Sequence, residues 1–135
     1  MFGFGKKKKQ KAPARAIENE QKYLLTHKSD FFLREAYKTM RTNVTFALAG
    51  EKDCSTIIVT SSMQSEGKSI TATNLAISYA QQGKRVIIID CDMRRPTLAE
   101  KLPIKKTPGL SDFLSGQIQA DKLLQMCGLK EDEQA

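Results

Sequence analysis

Cysteine is scarce and poorly placed for cross-linking. Cys54, Cys91 and Cys127 are odd in number and widely spaced, and no C-x-x-C pair occurs. This argues against a disulfide framework or a thiolate zinc site and fits a reducing cytosol. Long apolar runs are missing too. None approaches the roughly 20 residues that span a bilayer. The charged N-terminus is not followed by an apolar segment, so no secretory leader is predicted. Acidic residues are absent from the first eleven positions, which carry Lys6, Lys7, Lys8, Lys9 and Lys11. Most of the net charge of +7 therefore lies in a tail, and the rest of the chain is nearly balanced. No further basic stripe supports a nucleic-acid partner.

What remains is one small domain: 135 residues, 40% hydrophobic. Residues 1–28 read as a basic flexible arm, either simply solvated or drawn to an anionic membrane surface. Lysines near such a surface contribute about 1 kcal/mol each, and Phe2 and Phe4 could dip into the interface. A helix is predicted from about Asp30 to Ala49, capped by Ser29 or Asp30 and ended by Gly50. Leu33, Tyr37, Met40, Val44 and Leu48 form one stripe at about 100° per residue. Glu35, Lys38 and Arg41 lie on another face. Residues 51–135 read as part of a nucleotide-binding domain. "STIIVTS" (55–61) and Arg85–Ile89 are short apolar runs suited to strands buried on both faces of a parallel sheet. Lys68–Gln82 between them reads as a helix, giving a βαβ unit. Short helical pieces follow Pro96: "PTLAEKL", "GLSDFLSG" and "ADKLLQM".

At the first strand–helix junction stands "SMQSEGKSI", Ser62 to Ile70. A common phosphate loop reads G-x-x-x-x-G-K-[ST]. Here Ser62 occupies the first glycine's place, while Gly67, Lys68 and Ser69 keep the end of the pattern. Such a loop works by aiming backbone N–H groups and a helix N-terminus at an anion, with a lysine and a hydroxyl reaching the terminal phosphates and the metal. Ser62, Met63, Gln64, Ser65, Glu66, Gly67, Lys68, Ser69 and Ile70 are the candidate nucleotide-binding residues. The bland alternative is an ordinary βα turn with a capping serine.

The second apolar run ends "IIIDCDMRRP". Asp90 and Asp92 sit where α/β proteins hold ligands, at the carboxyl end of a strand. Alternate strand residues share a side, so both carboxylates can address one place. They could orient a Mg2+ nucleotide, and one could accept a proton from an attacking hydroxyl. A charged strand end capping the next turn is the plainer reading.

A phosphate loop followed by Ile87, Ile88, Ile89, Asp90, Asp92 and Arg94 resembles the bacterial tyrosine kinases of capsule and exopolysaccharide synthesis, whose second motif is called Walker A′. "LREAYKTMRTN" is similar to that family's E-x-x-R-x-x-R element, through Glu35, Lys38 and Arg41. "PTLAEKL…PGLSDFLSG" resembles the segment after Walker A′. The resemblance implies an α/β, P-loop NTPase-like parallel sheet of the ParA/MinD branch. It also implies ATP on Lys68 and the loop amides, and Mg2+ on Ser69, Asp90 and Asp92. Lys68, Asp90 and Asp92 would be catalytic. The implied partners are further copies of the chain, assembled in a ring through Glu35, Lys38 and Arg41, and a membrane adaptor of the polysaccharide co-polymerase type. The implied location is cytoplasmic, peripheral to the inner face of the cell membrane.

The departures are specific. Lys38 replaces an arginine, keeping charge but losing the planar fork. ParA/MinD ATPases carry an extra lysine five residues before the loop lysine, and here that place is Met63, which favours the kinase. The family's Walker B strand and tyrosine-rich tail have no counterpart in the sequence, so a sheet truncated after its first βαβ unit is expected. A non-catalytic ATP-binding or interaction module, and a ParA/MinD-like ATPase, are the competing functions.

Overall fold

The computed structural model describes residues 22–50 and 54–128. The lysine block and most of the stretch read as an arm lie outside the described residues, as does the polar end. From Lys22 onward, however, the chain belongs to the packed body: Leu24 and Leu25 are buried.

Helix α1 spans Phe31–Ala47. Of the two expected caps, Asp30 serves: its carboxylate accepts from the Phe32 N–H at 2.9 Å. Ser29 instead accepts from the Thr26 N–H at 2.9 Å, closing the turn before the helix. The apolar stripe is only partly used. Tyr37 is buried, whereas Leu33 and Met40 remain exposed. Gly50, at φ 121°, lets the chain turn away after the last helical residues.

Helix α2 spans Lys68–Ala80 and packs against α1. Gly83, at φ 76°, stands beyond its end. Its buried face holds Thr73, Asn74, Leu75, Ile77 and Ser78. Three of these are polar, and each has partners. Thr73 Oγ1 donates to the Ser69 carbonyl at 2.7 Å. Asn74 accepts from the Leu25 N–H at 2.8 Å and donates to the Tyr23 carbonyl at 2.9 Å. Ser78 receives the Arg41 guanidinium at both its carbonyl, 2.7 Å, and its hydroxyl, 2.9 Å. Buried polar atoms paired in this way avoid the desolvation penalty of orphaned groups.

Three short helices follow: α3 (Leu98–Lys101), α4 (Leu110–Leu114) and α5 (Ala120–Leu123). They match the three expected pieces. The core gathers Leu24, Leu25, Tyr37, Ile77 and Leu102, with Ile70, Ile88 and Ile104 against it.

The two apolar runs do not behave as strands buried on both faces. Neither 54–61 nor 84–92 has regular secondary structure, and no backbone hydrogen bond joins them among the described residues. Ile58 is 85% exposed, Ile87 69% and Ile89 61%. Only Ile88 reaches the core. A strand's polar backbone and both its faces need neighbours, and among the described residues of these runs Ile88 is the one packed against the core cluster.

Candidate phosphate-binding site

The junction before α2 is built from backbone conformation. Positive φ values fall at Ser65 (62°) and Gly67 (85°) and not at Ser62. This explains why a serine is tolerated at the first glycine's place: that position does not require the left-handed region. Gly67 does. A Cβ there would find space, its closest neighbour being Ile70 Cγ2 at 3.9 Å, so the constraint is φ rather than crowding. Ser65 carries a strained conformation for a non-glycine residue. The loop is braced by two side chains. Ser61 Oγ donates to the Met63 carbonyl at 2.8 Å, and the Met63 N–H donates to Glu66 Oε2 at 3.1 Å.

Apart from Glu66, whose N–H closes a turn over 64–65, the backbone N–H groups from Gln64 to Ile70 have no hydrogen-bond acceptor among the described residues; that of Thr71 is paired with the Gly67 carbonyl at 2.9 Å. No side chain caps α2. A helix start with open donors and no cap is suited to an anion. Lys68 and Ser69, the first two residues of α2, are half-buried, and the Ser69 hydroxyl makes no hydrogen bond among the described residues. Ser62, Met63, Gln64, Ser65, Glu66 and Gly67 are exposed, while Ile70 turns into the core.

The Walker A′-like segment meets this loop through one carboxylate. Asp92 Oδ2 lies 3.6 Å from Lys68 Nζ. Asp92 Oδ1 accepts from the Arg95 N–H at 3.0 Å. The Asp92 carboxyl is held below its usual range. The Arg95 N–H is the main cause, partial loss of hydration opposes it, and the Lys68 charge adds to the lowering. Asp90 is arranged differently. Its Oδ1 accepts from the Asp92 N–H at 3.0 Å. Its Oδ2 accepts from the Thr97 and Leu98 N–H groups at 2.8 and 3.0 Å. The two carboxylates therefore do not share one target: Asp92 faces the loop lysine, and Asp90 is engaged by backbone at the start of α3.

Among the described residues no three His, Cys, Asp or Glu side chains converge to hold a metal. A Mg2+ ion there would have Ser69 and Asp92 as candidate protein ligands, with phosphate and water supplying the remaining oxygens. The site does not fit a closed protein cage.

Arg41 is spent inside the chain, on Ser78. Lys38 and Glu35 pair with each other at 2.6 Å on an exposed part of α1. Sequence reasoning missed Asn74. Its signal was a polar residue on the inward spacing Ile70, Asn74, Ile77, where an apolar residue would be expected. None of the described helices is long and apolar enough to cross a membrane.

The chain is 40% identical over 91 residues to the tyrosine-protein kinase YwqD of Bacillus subtilis (strain 168), covering 67% of this chain and 38% of YwqD. It is 37% identical over 111 residues to the tyrosine-protein kinase ptk of Acinetobacter johnsonii, covering 82% of this chain and 14% of that protein. It is 37% identical over 83 residues to the tyrosine-protein kinase wzc of Salmonella typhi, covering 62% of this chain and 11% of that protein. The chain thus spans well under half the length of these relatives. No solved structure matches it. Residues 57–131, more than half of the chain and all of the loop and Walker A′ segment, match the CobQ/CobB/MinD/ParA nucleotide-binding domain. The domain match includes every residue of the loop and of the segment that faces it, and the chain belongs to the CobQ/CobB/MinD/ParA nucleotide-binding domain family.

Proposed function

We propose that the chain is a nucleotide-binding unit of a bacterial protein-tyrosine kinase of capsular or exopolysaccharide synthesis, binding Mg2+-ATP at Ser62–Ile70. The observation that carries this reading is the run of open N–H groups at the uncapped start of α2, with Lys68 and Asp92 3.6 Å apart beside it. In this reading the open N–H groups between Gln64 and Ile70 and the Lys68 ammonium hold the phosphates. Ser69 and Asp92 hold Mg2+, which would supply charge neutralisation for phosphoryl transfer. The Asp92 carboxylate lies 3.6 Å from the Lys68 ammonium and so ties its segment to the loop lysine. Its lowered pKa keeps it ionised throughout the neutral range.

The competing ParA/MinD-like ATPase is disfavoured by Met63, where those enzymes carry a second lysine. A non-catalytic binding module would share the same nucleotide contacts. A homo-oligomeric ring and a membrane adaptor belong to the proposed kinase. With Arg41 bonded to Ser78, the contact between copies would rest on Glu35 and Lys38. The proposed place is the inner face of the membrane, with the lysine tail adding a salt-sensitive attraction.

The test is calorimetric titration with Mg2+-ATP. Lys68→Met should weaken binding by tenfold or more, since a charged hydrogen bond contributes about 1.5–3 kcal/mol. Unchanged affinity would overturn the loop assignment.

A further inference from the structure

We infer that Asp90 is a positioning residue, which clamps the Asp90–Leu98 loop so that Asp92 alone presents a carboxylate to the phosphate site. This deepens the reading just given and rests on it for the identity of the ligand. The carboxylate of Asp90 accepts three backbone N–H bonds, from Asp92 at 3.0 Å, Thr97 at 2.8 Å and Leu98 at 3.0 Å. Each oxygen has at least one donor, and Oδ2 has two. A carboxylate so engaged has little lone-pair capacity left for a cation or for a substrate proton.

The three bonds do different things. The bond to the Asp92 N–H is local and sets the direction in which the next-but-one residue leaves the apolar run. The two bonds to Thr97 and Leu98 close the loop from its far end, and they satisfy donors at the start of α3. Leu98 is buried, as are Lys101 and Leu102 just beyond it, so α3 is fixed to the body of the protein. Asp90 thus ties the exit of the apolar run to a fixed anchor. Asp92, between the tied ends, is secured by the Arg95 N–H on one oxygen and aims the other at Lys68. Both ends of the segment are held, and a single carboxylate is left facing the loop.

The experiment compares the intact chain with Asp90→Asn, Asp90→Glu and Asp92→Asn by two measurements. The first is the ratio of ATP affinities with and without Mg2+, by calorimetry. The second is hydrogen exchange of the Asp92, Thr97 and Leu98 amides without nucleotide. The Asp92→Asn change should collapse the Mg2+ ratio toward one and leave the Thr97 and Leu98 amides protected. The Asp90→Asn change should speed exchange of those amides by about tenfold, as expected for one lost or weakened part-buried hydrogen bond, and should retain a Mg2+ ratio well above that of Asp92→Asn. Asp90→Glu keeps the charge a metal would need but moves both oxygens by a methylene. It should lose amide protection as Asp90→Asn does, and it serves as the reading if Asp90→Asn does not fold. Unchanged amide protection in the Asp90 variants would overturn the inference. So would a Mg2+ ratio that collapses in Asp90→Asn as fully as in Asp92→Asn. If the intact chain binds no ATP under either condition, the nucleotide reading fails, and the exchange measurement still decides whether Asp90 is a clamp.

Discussion

At the scale of single residues, the site is a division of labour between backbone and charge. Gly67 supplies a φ that other residues resist, Ser65 adopts one at a cost, and Ser62 needs none. Lys68 and Asp92 supply the charges. Because the folded-state pKa of Asp92 is depressed, its stabilising interactions are fully present above the ordinary carboxylate value and are lost as pH falls through the lowered one. Asp92→Asn removes the titrating group. We therefore expect the intact chain to melt above Asp92→Asn at pH 6–7, with the gap closing as pH drops below about 4. Thermal melts across that range check this. A gap that stays constant down to low pH would mean that the charge of Asp92 has no part in it. Sequence pattern alone named Gly67, Lys68, Ser69 and both aspartates. It did not separate the roles of Asp90 and Asp92, because strand alternation places both on one side, and the separation depends on donors at Thr97 and Leu98 that the turn after the run brings back.

At the scale of elements, local signals were the legible ones. Caps, periodicity and glycine stops placed α1 and α2 within a few residues, because those signals lie within one or two helical turns. The tie between the segment before α1 and the middle of α2 was not legible. It joins Leu25 to Asn74 across 49 positions and uses a side chain to satisfy backbone. Asn74, at 1% exposure, acts there as a substitute for a strand neighbour, giving an acceptor to one residue and a donor to another. Asn74→Ala would leave the buried Leu25 N–H without its partner, and the part-buried Tyr23 carbonyl without its donor. The expected cost is about 1–3 kcal/mol, set chiefly by the one buried donor left unpaired. Glu35→Ala, which breaks only an exposed pair, should cost under about 1 kcal/mol. Chemical denaturation of the two variants gives the comparison. A loss below about 1 kcal/mol for Asn74→Ala would show that the 23–25 segment is not held by this side chain.

At the scale of the whole molecule, the buried and the exposed apolar residues form two populations. One population, around Leu25, Tyr37, Ile77 and Leu102, joins α1, α2 and the segment after α3. The other lies on the two runs beside the loop, with Ile58, Ile87 and Ile89 open to solvent. The sequence reading assigned these isoleucines to a sheet interior because continuous β-branched runs usually lie there. Hydrophobicity reports what a residue would gain from burial, not whether the described chain supplies the cover. Exposed isoleucines on segments whose backbone has no ladder partner among the described residues favour association between molecules. Their exposure also sets apart two kinds of substitution. In the core, Ile77→Ala should cost about 2–5 kcal/mol through lost transfer energy and a cavity. On the open runs, the double change Ile58→Lys with Ile87→Lys removes no buried contact and adds charge where association would begin. Its unfolding free energy should stay within about 1 kcal/mol of the intact chain, as for surface changes generally, while the weight-average mass in sedimentation falls toward that of one chain. A destabilisation as large as that of Ile77→Ala would instead place both isoleucines in a folded interior, and the two runs would then be strands of a sheet within the single molecule.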